Sequence, residues 1–292
     1  MTEPMTLRLR AKAPLTTVRQ ALTDPVQLRA WLSEHAEVEL PDRYAFWGRY
    51  TPGLEPRQRL LHADDRSLRF VWRLDDIDTT VDIRLAEAGP DTTELTLTQS
   101  DMPSFADMLA GKGDRAIVHT FWALALANLV DHVEGRDLTP KGDLTSPVMR
   151  EEVLIDATPA EVYESLTDEE VFARWFGAKV GIEPRVGGRW AMGGFDAGGE
   201  YGKILELEPG RKMVIRWPDE QVTSWELADS GGRTRLTFVQ SGFDSGQPPY
   251  GAWLGWLGGL AELRRYHEIP GWQPVWQQIA VDGLDADLLT YG

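Results

Sequence analysis

Five histidines and twelve tryptophans are the side chains of this 292-residue chain with the most chemistry to offer. His35, His62, His119, His132 and His267 form no pair at metal-ligand spacing and share no motif with close carboxylates. There is no cysteine, so thiolate nucleophiles, disulfides and cysteine metal sites are excluded. His119 stands three residues before Trp122 in a helical apolar stretch. On that shared face it can act as a pocket acid or base, or be an ordinary hydrogen-bonded helix histidine. Asp75, Asp76, Asp78 and Asp82 suggest calcium, but three of them alternate with Ile77, Val81 and Ile83, which is the pattern of a solvated strand face. Gly187-Gly188 and Gly193-Gly194 flank a strand and precede no Lys-Ser/Thr pair, so they read as turns and not as a phosphate loop. No G-x-S-x-G motif is present. Glu200-Tyr201 sets a carboxylate beside a phenol, either to orient a polar ligand or as an exposed loop pair. No catalytic residue is assigned, and no metal or nucleotide cofactor is expected.

The tryptophans offer a different chemistry. Trp190 shares a strand face with Met192, Trp217 with Met213 and Ile215, and Trp225 with Leu227. In the first half, Phe46 and Trp47 lie on opposite strand faces and Trp72 shares one with Phe70. Trp122 sits on a long apolar helix, and Trp253 and Trp256 begin another. Large rings with one polar edge wall pockets for flat ligands, and they fill cores equally well. The expected ligand-binding set is Trp47, Trp72, His119 and Trp122, with Trp190, Met192, Tyr201, Trp217, Trp225, Trp253 and Trp256.

The elements that must position these residues occur twice. Val18, Leu22-Thr23-Asp24 and Trp31 are answered by Val162, Leu166-Thr167-Asp168 and Trp175, all 144 residues on. Arg43-Tyr44-Ala45 answers Arg189-Trp190-Ala191, Trp72 answers Trp217, and Leu97-Thr98-Gln99-Ser100 answers Phe238-Val239-Gln240-Ser241. A period of that length is a whole domain and not a solenoid repeat. Each copy opens with an alternating strand and two short helices, the second copy starting with the capping-box pattern Thr158-Pro159-Ala160-Glu161. The apolar period then falls from near 3.6 to 2. Strands are expected near 44–50, 57–62, 67–74, 79–86 and 92–99, and at 189–192, 201–207, 212–217, 222–227 and 234–240. Long helices over about 114–134 and 251–268 close the copies. An α+β fold follows, a curved antiparallel sheet around a C-terminal helix, built as domains 1–143 and 144–292.

The second copy resembles the helix-grip domains related to the C-terminal domain of the heat-shock ATPase activator, within the START and birch-pollen-allergen superfamily. The residues that carry this are Ala157–Tyr163, Leu166-Thr167-Asp168, Arg174–Gly177, Val186–Trp190, Gly202–Pro209, Ile215-Arg216-Trp217 and Thr234–Phe238. The first copy keeps the opening helix, Trp31, the Trp72 strand and the closing helix, but lacks a counterpart of Gly202–Pro209. The resemblance implies two tandem helix-grip domains. Of function it implies chiefly binders of small hydrophobic molecules, with polyketide aromatases and cyclases and co-chaperone interaction modules as alternatives.

Both halves are acidic, and the net charge of −16 offers no footprint for nucleic acid and no attraction to an anionic membrane. The apolar stretch Ala116–Val133 is broken by His119, Thr120, Asn128, Asp131 and His132, and Met1–Arg10 holds no signal-peptide run. The expectation is a cytoplasmic protein that binds a hydrophobic, aromatic small molecule for carriage, sensing or sequestration. The tail Trp272–Trp276 is a possible protein-partner surface, and the segment Thr139–Pro147 is the link between the domains.

Overall fold

The repeated helix hairpin shows how this sequence fixes its backbone. In the computed structural model, which describes residues 4–103, 113–197, 199–274 and 276–279, β1 (Met5–Ala11) leads into α1 (Leu15–Thr23) and α2 (Pro25–Trp31). Asp24 caps α2 by accepting from the N–H groups of Val26 and Gln27. The Trp31 indole N–H donates to the Ala21 carbonyl at 2.9 Å, tying the two short helices together. The hairpin β2 (His35–Glu39) and β3 (Arg43–Trp47) is a separate two-stranded sheet; β4 (Gln58–Ala63), β5 (Ser67–Leu74), β6 (Ile77–Gly89) and β7 (Thr92–Gln99) follow it and form an antiparallel sheet with β1. Asp75 and Asp76 form the two-residue turn between β5 and β6 with φ of 49° and 60°, as a tight hairpin requires. The long helix α3 (Val118–Val133) follows a short 3₁₀ turn at Arg115–Ile117.

The second copy repeats the plan. It runs β8 (Met149–Ile155), α4 (Pro159–Thr167), α5 (Glu169–Phe176), β9 (Val180–Ile182), β10 (Arg189–Met192), β11 (Gly202–Glu208), β12 (Lys212–Arg216), β13 (Val222–Ser230), β14 (Arg233–Ser241) and α6 (Tyr250–Glu268). The capping box forms as expected, with Glu161 Oε2 accepting from the Thr158 N–H at 2.8 Å and Thr158 capping in return. Asp168 caps α5, and the Trp175 indole donates to the Ser165 carbonyl at 2.8 Å. The sheet order is β8-β14-β13-β12-β11-β10-β9. A final strand, β15 (Trp276–Ile279), adds antiparallel to β1, so the sheet of the first copy reads β15-β1-β7-β6-β5-β4.

The α+β architecture is two tandem helix-grip domains. Compact unit 1 holds the described residues to Thr145 with Tyr250–Gly258 and β15; unit 2 holds Ser146–Pro249 with Gly259–Pro274. The segment read as a link is pinned to unit 1 over its first half. Thr139 exchanges two 2.9 Å hydrogen bonds with the Asn128 side chain, and the Leu144 N–H donates to the Arg49 carbonyl. One stretch among the described residues, Arg115–Val133, is long and apolar enough to cross a membrane, and most of it is buried inside the protein. Three strands escape the sequence reading: β9 is three buried residues, too short to show a period, β2 offers only Ala36 and Val38 between polar residues, and β15 is four residues long.

Candidate functional site

One rung of each sheet, at the end where the strand before the hairpin meets its neighbours, separates the two units. In unit 1 Trp72 pairs with Thr79, and one rung inward Phe70 pairs with Val81 and Val81 with Gln99. In unit 2 the inner rung is Ile215, Thr223 and Gln240, and the Trp217 N–H donates to the Gln221 carbonyl one step outward. Register therefore matches Trp72 with Trp217, Thr79 with Gln221, Val81 with Thr223 and Gln99 with Gln240.

Unit 1 closes this corner completely. The Trp122 indole N–H donates to Gln99 Oε1 at 2.8 Å, Gln99 Nε2 donates to Thr79 Oγ1 at 2.9 Å, and the Thr79 hydroxyl donates to the Trp72 carbonyl at 2.8 Å. All four residues are buried. Around them Phe46, Phe121 and Trp122 set their rings 5.1 to 5.9 Å from Trp72, edge-on to it, the geometry that favours aromatic pairs. Trp72 Nε1 has no hydrogen-bond partner, because Val81 stands where unit 2 has a threonine.

Unit 2 finishes the corner with fewer internal partners. Trp217 is only half-buried; its indole N–H donates to Thr223 Oγ1 at 2.8 Å and its ring stands edge-on to buried Trp190 at 5.3 Å. Trp190 in turn packs edge-on to Phe172 at 5.5 Å. Gly202 makes room for this: a Cβ there would lie 3.2 Å from the Trp217 ring and 2.5 Å from Ile215. Gln240 is buried and its Nε2 donates to Gln221 Oε1 at 2.7 Å, while Gln221 Nε2 donates to Asp219 at 2.7 Å. Gln240 Oε1 has no partner.

The expected site residues divide by burial. Trp72, Trp122, Trp190, Trp225, Trp253 and Trp256 are buried, with Trp225 edge-on to Phe238 at 4.6 Å. Trp253 and Trp256 belong to the part of α6 that groups with unit 1. Trp47 is half-buried and tilted against His35 across the β2–β3 hairpin. Met192 and Tyr201 are exposed. Met192 is 43% exposed because it ends β10 just before the turn at Gly193. Tyr201 is 53% exposed and takes the Arg189 guanidinium over its ring. His119 lies in unit 1 with Nε2 buried and unpartnered, and burial pushes its pKa below the usual histidine value.

Four polar residues had no sequence motif to announce them. Gln99 and Gln240 were visible only as a matched letter in two strand endings. His267 Nε2 lies 3.0 Å from Ser165 Oγ, but Ser165 is buried and its hydroxyl also reaches the Glu161 carbonyl, so the pair ties α4 to α6. Burial lowers the His267 pKa, with Glu161 opposing. Lys141 Nζ donates to the carbonyls of Arg29, Ala30 and Ser33 at the end of α2 and sits over the Tyr50 ring. Burial brings its pKa down to about 8. It borders a cavity of about 10 Å³ lined also by Trp31, Leu32, Phe121 and Asn128, the room one water needs. Among the described residues no cluster of His, Asp or Glu is arranged to hold a metal ion.

A search of curated proteins finds no match. Among solved structures, similarity extends to a Chromobacterium violaceum protein at 27% identity, covering 42% of this chain and 99% of that one, with a TM-score of 0.34. The Aha1 dimer from Colwellia psychrerythraea is 21% identical over 42% of this chain and 96% of that one, TM-score 0.37. A protein of the dynemicin biosynthetic locus is 15% identical over 92% of this chain and all of that one, TM-score 0.38. The profile described as Activator of Hsp90 ATPase homolog 1-like protein matches twice, over residues 12–134 and 156–268. With both copies matched over most of their length, the chain belongs to the family of Activator of Hsp90 ATPase homolog 1-like proteins.

Proposed function

We propose that the chain binds a hydrophobic, aromatic small molecule for carriage, sensing or sequestration, and that unit 2 is the domain that takes it. The observation that carries this is the partly exposed Trp217, braced edge-on by buried Trp190 and held by its indole N–H on Thr223. A ring fixed at both ends offers its face at little conformational cost, as aromatic ligand sites require. The matching Trp72 is sealed among other rings, which supports a division of labour with unit 1 as scaffold.

The corner's inner groups are amides, a hydroxyl and indoles, none of which exchanges a proton near neutral pH. That favours binding over the polyketide aromatase or cyclase alternative, which needs an acid or base at the ligand. A protein-interaction role through the tail finds Trp272 already engaged, its N–H on Glu262 at 3.1 Å and its ring edge-on to Tyr266.

The test is a tryptophan-fluorescence titration of the whole chain against aromatic and lipid-like metabolites, each mixture then checked by mass spectrometry. Saturable quenching with the compound recovered unchanged, and lost in Trp217→Ala, is the expected result. Quenching that survives Trp217→Ala moves the site elsewhere. A dehydrated or cyclised product replaces the binder with an enzyme.

A further inference from the structure

Resting on the reading of unit 2 as a binding domain, we infer that its ligand carries a hydrogen-bond donor on the aromatic system and gives it to Gln240 Oε1. Gln240 is 3% exposed, and that oxygen is shut from solvent with no donor on it. Which atom of the amide is left over follows from charge. The Asp219 carboxylate can only accept, so the Gln221 amide turns Nε2 toward it, at 2.7 Å. Gln221 Oε1 then faces Gln240 and takes the proton of Gln240 Nε2, also at 2.7 Å. The remaining atom is an acceptor. Buried acceptors are rarely left unpaired, because the loss of water is not repaid.

Unit 1 displays the chemistry that satisfies this acceptor. Gln99, the register match of Gln240, donates through Nε2 in the same way, to Thr79 in place of Gln221. Its Oε1 is filled by the indole N–H of Trp122 at 2.8 Å. An aromatic donor is thus built permanently into one copy, while the other holds the same acceptor empty near a partly exposed tryptophan. The class of ligand is a flat ring system with an N–H or O–H group, such as an indole or a phenol. A ligand that meets this point with a carboxylate or ether oxygen sets acceptor against acceptor.

The experiment is calorimetric titration of the whole chain with indole and with benzofuran, which share a shape and differ in the donor. Wild-type protein is expected to bind indole about five- to tenfold more tightly, the worth of one net hydrogen bond. Gln240→Met removes that preference. Asp219→Asn, a change at an exposed turn that leaves the core intact, frees the Gln221 amide to turn over and narrows the preference. Equal binding of the two probes by wild-type protein, or an undiminished preference in both variants, overturns the donor assignment and leaves the binding function standing. Failure of both probes to bind overturns the binding reading together with this one. Binding of benzofuran that Trp217→Ala abolishes secures that reading by itself.

Discussion

The two units make the same hairpin and finish it differently. Both cap their second helix with an aspartate, Asp24 or Asp168, and both close the helix pair with an indole hydrogen bond, from Trp31 or Trp175. Both also hold the strand that follows β1 or β8 in the ladder with a threonine, Thr93 or Thr234, donating to the carbonyl of Ala13 or Ala157 at 2.8 and 2.7 Å. Where the copies diverge is the far end of the sheet. Unit 1 fills its corner with four rings and an internal donor; unit 2 has an amide relay, a partly buried indole and an acceptor without a donor. Duplication preserved what fixes the backbone and released what faces the interior, so the difference between copies locates function better than their similarity does.

The sharpest way to break this comparison is to remove the matched tryptophans. Trp72→Ala empties a fully buried site and is expected to cost about 3–5 kcal/mol, read as a drop in denaturation midpoint. Trp217→Ala removes a half-buried ring and is expected to cost clearly less while abolishing ligand quenching. Equal costs at the two positions contradict the claim that one is core and the other a wall.

Next comes the donor of unit 1. Trp122→Phe keeps the ring packing against Trp72 and Phe121 but leaves Gln99 Oε1 unpaired, which makes unit 1 resemble unit 2. The expected loss is about 1–3 kcal/mol. A loss below a few tenths means that Gln99 finds another donor.

Acid probes the two units through different histidines. His119 in unit 1 and His267 in unit 2 both have pKa values lowered in the folded state, mainly by burial. The unfolded chain takes up protons near pH 6.5 that the folded chain refuses, so their stabilisation is complete above that value and is lost as pH falls through it toward the folded pKa. Thermal midpoints measured from pH 7.5 to 5.5 are expected to fall. His119→Gln and His267→Gln each flatten part of the slope. A slope untouched by either change assigns the acid sensitivity to other groups.

The order of elements was legible because periodicity changes from helical to alternating, and the tryptophan parities on β5 and β13 came out as read, with Trp72 beside Phe70 and Trp225 beside Leu227 all buried. Parity said less at strand ends. Met192 has the parity of Trp190 yet is exposed at the end of β10. The Ser165–His267 contact joins residues 102 apart, and no local pattern encodes it. Gln240 was legible only as part of a repeated strand ending. Its meaning depends on Trp122 in the other copy, a relation that register supplies and spacing does not.

The smallest effect is also the cleanest exchange between the copies. Val81 and Thr223 occupy the same rung; Thr223 receives the Trp217 N–H at 2.8 Å, and the Trp72 N–H beside Val81 has no acceptor. Thr223→Val should therefore recreate in unit 2 the unpaired indole of unit 1, at a cost of about 1–2 kcal/mol. Val81→Thr should do the reverse. The added hydroxyl must itself be buried, which costs free energy, but it gains the indole proton and lies across the ladder from Gln99. Those terms nearly offset, and the expected net is a stabilisation of about 0.5 kcal/mol, small beside the loss at Thr223 but opposite in sign. Chemical denaturation of the two variants and the double exchange reads both effects against one baseline. A Val81→Thr protein destabilised by more than about 1 kcal/mol sinks the account, since burying the hydroxyl would then outweigh satisfying Trp72. Opposite signs establish that a threonine at this rung is what pairs the indole N–H in either copy.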